Sequence, residues 1–327
     1  MNTLTDTHGR QMTYLRLAVT DRCNLRCRYC MPAEGIAFAP REELLTFEEI
    51  LRLGEVLAEL GVTKVRLTGG EPLARRNLLA LVTGLSELFP QLAMTTNGVL
   101  LPDHLDGLAA AGLTHYNLSL DTLRPDRFRA ITRRDDFAAT RRALDLLLER
   151  EMRVKINTVV LRGTNDDELI DFAELTREHP LDVRFIEAMP FNEGDGNQQL
   201  FLDAATIIGR LRTAYPGLVA ATDDPHASTL RYRVPGYAGG IGVIPAYSRS
   251  LCGSCNRLRL TPKGTLLNCL YSTRGLELRP LLRSGVSGQD LAQLILEFVK
   301  GKHRDGHDTE RREQQGSVFS SMTSIGG

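Results

Sequence analysis

The 327 residues predict an α/β protein: an incomplete parallel (β/α)6 barrel with a C-terminal α+β region closing its open side. Three observations carry this. Strand-like and helix-like segments take turns six times between Tyr14 and Ala214, and such alternation implies parallel strands joined by right-handed crossovers. A closed barrel of this kind needs about eight units, so six leave a gap. From about Pro216 the texture changes to short extended pieces rich in Gly and Pro, which divides the chain into residues 1–215 and 216–327.

Each element has a local reason. Tyr14 to Thr20 alternates apolar and polar residues and reads as a strand that delivers a cysteine-rich loop. Thr46 with Glu49 three residues on forms a capping box for a helix to about Leu60, which Gly61 ends. Val62 to Thr68 is a strand running into Gly69-Gly70-Glu71-Pro72. Helical spacing at Leu78 to Phe89, Leu105 to Ala111, Phe137 to Glu151 and Asp167 to Glu178 separates extended runs at Leu92 to Thr96, His115 to Leu120, Arg153 to Leu161 and Asp182 to Ala188. Asp203 to Ala214 closes the series. Beyond it, Leu230 to Val234, Ile241 to Ile244 and Arg257 to Leu260 are extended and Gln289 to Val299 is helical. Lys300 to Gly316 is polar and charge-dense, so no fixed structure is expected there, and residues 190–202 and 217–229 carry no readable signal. Chemistry is expected at the C-terminal strand ends, where the cysteine loop and the Gly-Gly-Glu-Pro turn both fall.

Charge and hydropathy exclude several classes. Lys plus Arg and Asp plus Glu both number 40, so no global basic field favours nucleic acid. Met1 to Met12 lacks a signal core, and no run of about 18 apolar residues exists to cross a bilayer. A cytoplasmic protein is expected, where thiols stay reduced. All six cysteines fall into two groups, Cys23, Cys27, Cys30 and Cys252, Cys255, Cys269. Disulfides would need an oxidising compartment. Two three-thiolate metal sites fit better, and in a four-iron cluster held by three cysteines one iron stays open to a small molecule. For the second group, Cys-x2-Cys-x13-Cys is also compatible with zinc completed by His226 or His303.

Charged residues stand where a barrel interior is usually aliphatic. Leu15, Leu17 and Val19 share one strand face, which leaves Arg16, Ala18 and Thr20 on the other. Arg66 opposes Val65 and Leu67, Lys155 opposes Val154 and Ile156, and Arg184 interrupts Val183-Arg184-Phe185-Ile186. Arg257 and Arg259 share a face beside Cys255. Buried cations must be paired, and two solutions are open: ion pairs with Asp21, Glu71, Asp121 or Glu187, or convergence on a polyanion such as a triphosphate.

Cys-x3-Cys-x2-Cys after the first strand, with Tyr29 before the last cysteine and Gly69-Gly70-Glu71-Pro72 about 40 residues later, resembles the radical S-adenosylmethionine superfamily. In that family three thiolates hold a 4Fe-4S cluster. The amino and carboxylate groups of S-adenosylmethionine chelate the open iron, and reductive cleavage yields a 5'-deoxyadenosyl radical that abstracts hydrogen. The second cysteine group with Arg257-Leu258-Arg259 inside it, and a Gly326-Gly327 terminus, resemble the GTP 3',8-cyclase family, which opens molybdenum cofactor (molybdopterin) biosynthesis.

That resemblance implies a second 4Fe-4S cluster that binds guanine at its open iron, and conversion of GTP into 3',8-cyclo-7,8-dihydro-GTP. It implies GTP contacts from Arg16, Arg66, Thr95, Lys155, Arg257 and Arg259, with Arg184 at a basic position near them. It implies S-adenosylmethionine contacts from Tyr29, Gly70, Ser119 and Met189, and a catalytic role for Arg257, Arg259 and the Gly326-Gly327 tail. The implied partners are an electron donor such as flavodoxin or ferredoxin and the downstream cyclic pyranopterin monophosphate synthase, with homodimerisation open. Two rivals make different predictions. A radical enzyme that modifies peptides would also carry an auxiliary cluster but needs no basic lumen. A zinc-stabilised binding module would be colourless.

Overall fold

The computed structural model describes residues 3–189, 199–221, 228–313 and 322–325. Six strands of its first part lie side by side in chain order, every neighbour parallel: β1 (Tyr14–Ala18), β2 (Lys64–Thr68), β3 (Gln91–Thr96), β4 (His115–Ser119), β5 (Arg153–Val160) and β6 (Asp182–Glu187). They are joined through α1 (Phe47–Glu59), α2 (Leu78–Leu88), α3 (Leu105–Ala110), α4 (Pro125–Thr132), α5 (Phe137–Glu149) and α6 (Leu169–Glu178), and α7 (Ala204–Ala214) follows β6.

The later strands are β7 (Val219–Ala221), β8 (Leu230–Arg233), β9 (Gly240–Ile244), β10 (Arg257–Leu260), β11 (Thr265–Leu267) and β12 (Leu276–Glu277). They extend the sheet from both edges. β9 adds to β6 in parallel and continues into antiparallel β8 and β7, while β10 adds to β1 in parallel and continues into antiparallel β11 and β12. Among the described residues β7 and β12 do not meet, so the barrel is incomplete, and the C-terminal region supplies both flanks of its open side. Helices α8 (Leu278–Arg283), α9 (Gly288–Lys300) and α10 (Gly306–Glu313) complete that region.

Local chemistry sets these elements. The capping box forms as the sequence requires: Thr46 Oγ1 accepts from the Glu49 amide and the Glu49 carboxylate accepts from the Thr46 amide. Leu15, Leu17, Val65, Leu67, Val154 and Ile156 are buried in one core under the helices, which turns the alternate residues of β1, β2 and β5 inward.

Three segments differ from the sequence reading. Residues 300–316 were expected to lack structure, yet α10 forms there, and Lys302 is buried with its ammonium on the carbonyls of Arg257 and Asn268. Local polarity cannot anticipate such distant partners. Helix α4 was overlooked because its eight residues are too few to repeat an apolar period clearly. The N-terminal segment, read as merely polar, buries Leu4 and Met12 and places Arg10 deep against the C-terminal region.

Candidate active site

A cavity of about 650 Å³ runs through the barrel, and both cysteine triplets line it. The first triplet sits at the C-terminal strand ends, as the topology requires. Its loop is tied to the end of α4: the Arg26 and Arg28 amides donate to the carbonyls of Thr132 and Ile131. Gly69 and Gly70 let the next loop pass close beneath it. A Cβ on Gly70 would stand 2.2 Å from the Arg22 carbonyl oxygen, and Gly69 holds φ at +139°. Gly70, Ser119, Tyr29 and Met189 all line this end of the cavity. The Tyr29 hydroxyl donates to Asp121 Oδ2 at 2.7 Å, and burial pushes Asp121 up to about 6.

Burial and neighbouring charges set the thiols apart. Burial raises Cys23 to about 11 with Glu71 adding to it, and burial followed by Asp121 and the two neighbouring thiols drives Cys27 well above its usual range. Burial and the mutual repulsion of Cys269 and Cys255 raise Cys252, whereas at Cys255 the cations Lys302, Arg257 and Arg259 overcome burial and lower it. A bound cation relieves this repulsion and deprotonates each thiol outright. Among the described residues no three His, Cys, Asp or Glu side chains are grouped as a single-ion site.

Strand register assembles the cations into rows. Arg16 on β1 pairs with Arg66 on β2 and with Arg259 on β10, so three guanidinium-bearing residues stand abreast on the inner face. One step toward the N-terminal strand ends, Tyr14 stands between Arg257 and Lys64. Across the lumen are Lys155 and Arg184. Desolvation, followed by the neighbouring cations, lowers Arg16 to about 9, Arg184 and Arg259 to about 10, and Lys155 to about 8.

Of the two pairing schemes open from sequence, Asp21, Glu71, Asp121 and Glu187 do not supply the first. Asp21 holds the Ala39 amide, Glu71 holds Leu73, Thr96 and Asn97, and Asp121 holds Tyr29 and the Val159 amide. Glu187 holds Ala204, Tyr247 and Ser248. Among the described residues Asp182 is a carboxylate that does pair, 3.2 Å from Lys155 and 3.7 Å from Arg231.

Thr68 Oγ1, Thr95 Oγ1 and Asn157 Oδ1 are buried in the cavity wall without a hydrogen-bond partner among the described residues. Buried polar atoms in that condition are costly unless a ligand satisfies them. Gly326 and Gly327 lie outside the described residues. Just before them, Ile325 is buried against Leu267, its carbonyl accepts from Arg259 Nη1 at 3.4 Å, and Met322 and Thr323 line the cavity.

Residues 17–176 match the family described as the Radical SAM superfamily, and residues 181–308 match the one described as Molybdenum Cofactor Synthesis C. The GTP 3',8-cyclase of Moorella thermoacetica is 42% identical over 92% of this chain and 94% of its own. The chain belongs to the radical S-adenosylmethionine superfamily, within its GTP 3',8-cyclase family. Its cofactors are accordingly two 4Fe-4S clusters and S-adenosylmethionine.

Molybdenum cofactor biosynthesis protein 1 of Drosophila melanogaster is also 42% identical, over 94% of this chain but 55% of its own, so the radical SAM chain spans about half the length of such relatives. The fold is also that of Streptococcus suis SuiB bound to S-adenosylmethionine, with a TM-score of 0.61 at 14% identity over 97% of this chain and 78% of that one. Among the described residues no helix is long and apolar enough to cross a membrane.

Sequence reasoning overlooked Tyr14, Lys64 and Asp182. Tyr14 and Lys64 continue the inward phase of Arg16 and Arg66 by one more step, so the same period would have found them. An aromatic and a strand-terminal lysine do not announce themselves as binding residues.

Proposed function

We propose that this chain cyclises GTP to 3',8-cyclo-7,8-dihydro-GTP, the first step of molybdenum cofactor biosynthesis. The observation that carries this reading is one cavity lined by both cysteine triplets and walled between them by rows of arginine. The first cluster and S-adenosylmethionine, once reduced, supply the radical that removes hydrogen from the ribose. The chain's own residues do the rest. Arg16, Arg66, Arg259, Arg257, Lys155 and Arg184 neutralise the triphosphate and hold it in the lumen. The second triplet anchors the guanine end, and Thr95 supplies a hydrogen bond from the wall. Tyr29, Gly70, Ser119 and Met189 seat S-adenosylmethionine, and a catalytic role falls to Gly326-Gly327, the residues that follow Ile325, whose carbonyl accepts from Arg259.

Residues 1–215 carry the radical step and 216–327 the second cluster, in a reducing cytoplasm. A flavodoxin or ferredoxin supplies the electron and cyclic pyranopterin monophosphate synthase takes the product. The peptide-modifying alternative has only fold likeness behind it, since a peptide has no use for a lumen of cations.

Anaerobically reconstituted protein given S-adenosylmethionine, reductant and GTP should form deoxyadenosine above a GTP-free control. Arg257→Ala and Arg259→Ala should abolish the excess while retaining about eight irons, as two four-iron clusters require. Equal deoxyadenosine with and without GTP would remove the substrate.

A further inference from the structure

Tyr14 sits where the phosphate-binding rows would lead one to expect another cation. It is half-buried and open to the cavity, with Arg257 and Lys64 beside it at the same register and Arg16 one step above on its own strand. Its hydroxyl oxygen accepts from Arg66 Nε at 2.6 Å. The Lys64 ammonium and the Arg257 guanidinium stand 5.1 Å and 5.6 Å from its ring centroid. Arg66 is otherwise held by the Met94 carbonyl at 3.3 Å through Nη1, so Tyr14 controls how this guanidinium faces the lumen.

We propose that Tyr14 is a positioning and charge-matching residue of the polyanion site: it aims Arg66, shares that guanidinium with the arriving phosphate, and takes up a proton as the phosphate binds. The proposal rests on the reading that the cavity takes a nucleoside triphosphate. Desolvation raises a phenol, but the pull of Arg66, Arg16 and Arg257 outweighs it here and brings Tyr14 down to about 7. Phosphate oxygens among the same cations cancel that pull and repel a phenolate, so the phenolate oxygen takes a proton from solvent and becomes the neutral hydroxyl.

The complex therefore binds more protons than the free protein above about pH 7, and affinity falls as pH rises by up to about tenfold per unit. Most of the other charged groups around the phenol keep their charge over this window. Arg16, Arg184 and Arg259 lose their protons only at about 9 to 10, and desolvation together with Arg153 and Lys64 holds His115 below its usual range. Lys64 is also lowered, by desolvation first, and Lys155 titrates at about 8. Both remain in a Tyr14→Phe variant, so comparison with it isolates the phenol.

The test uses cluster-loaded protein without reductant and follows binding of inorganic tripolyphosphate and of GTP by calorimetry, in buffers of different ionisation heat. Between about pH 6 and about pH 8 the native protein should lose about tenfold more affinity than Tyr14→Phe, and take up more protons per probe bound, approaching half a proton more at about pH 7. The probe's own titration is common to both proteins. Equal proton uptake and equal pH dependence in the two would overturn the role of Tyr14 and leave the triphosphate reading standing. Failure of both probes to bind the native protein would overturn the triphosphate reading itself. Should the variant lose its clusters, the ultraviolet phenolate band of the native protein decides: loss of that band on adding tripolyphosphate supports the proposal, and its absence at about pH 8 before addition overturns it.

Discussion

Replacing Arg10 with methionine should release the second cluster without disturbing the first. The guanidinium of Arg10 reaches from the N-terminal segment into the C-terminal region. Nε donates to Asp6 Oδ2 at 2.6 Å, Nη1 to the Arg304 carbonyl at 2.7 Å and the Cys252 carbonyl at 3.3 Å, and Nη2 to the His303 carbonyl at 2.6 Å. Asp6 is enclosed and keeps the amides of His8 and Arg10 as its remaining donors. Methionine preserves the packing of the stem and removes the charge.

Breaking one side of a buried ion pair costs about 3–5 kcal/mol, and each lost bond from a charged donor about 1.5–3 kcal/mol, in overlapping rather than additive amounts. Roughly 4 kcal/mol, borne where the chain carries Cys252, shifts the local opening equilibrium by about a thousandfold. Anaerobic iron release to a chelator should become biphasic, with about four irons leaving two to three orders of magnitude faster than from the native protein and the rest at the native rate. Asp6→Asn, which leaves the three carbonyl contacts in place, should show a milder effect. Native release kinetics and an unchanged denaturation midpoint in Arg10→Met would refute the reasoning.

Two further substitutions probe the cavity wall. Thr95→Val replaces a buried hydroxyl that has no partner among the described residues with a methyl, so stability should hold or rise by about 1 kcal/mol while GTP affinity drops about tenfold, read by thermal denaturation and calorimetry. A loss of stability with unchanged affinity would mean the hydroxyl serves the fold. Gly70→Ala drives a methyl to 2.2 Å from the Arg22 carbonyl oxygen, so equilibrium dialysis should find S-adenosylmethionine binding weakened at least about tenfold. Far-ultraviolet circular dichroism should stay native, because only this loop must move.

Much of the site was legible because it is written in short-range pattern. Cys23, Cys27 and Cys30 lie within eight residues, and the inward phase of Arg16, Arg66 and Lys155 follows from a period of two. Arg10 and Lys302 were not legible, because each derives its meaning from carbonyls far away in sequence: Cys252, His303 and Arg304 for one, Arg257 and Asn268 for the other. Asp182 was read as the first residue of a strand, and only its distance to Lys155 and Arg231 makes it their ion-pair partner.

By itself the sequence settled the alternation of strands and helices, the two thiol triplets, and which side chains face inward on each strand, since all of these depend on neighbours a few residues apart. Only the tertiary structure decided that β10 would join β1 in a register that sets Arg259, Arg16 and Arg66 in one row and Tyr14 between Arg257 and Lys64. Strand pairing across some 240 residues is selected by the packing of whole faces against the core, and no local period records it.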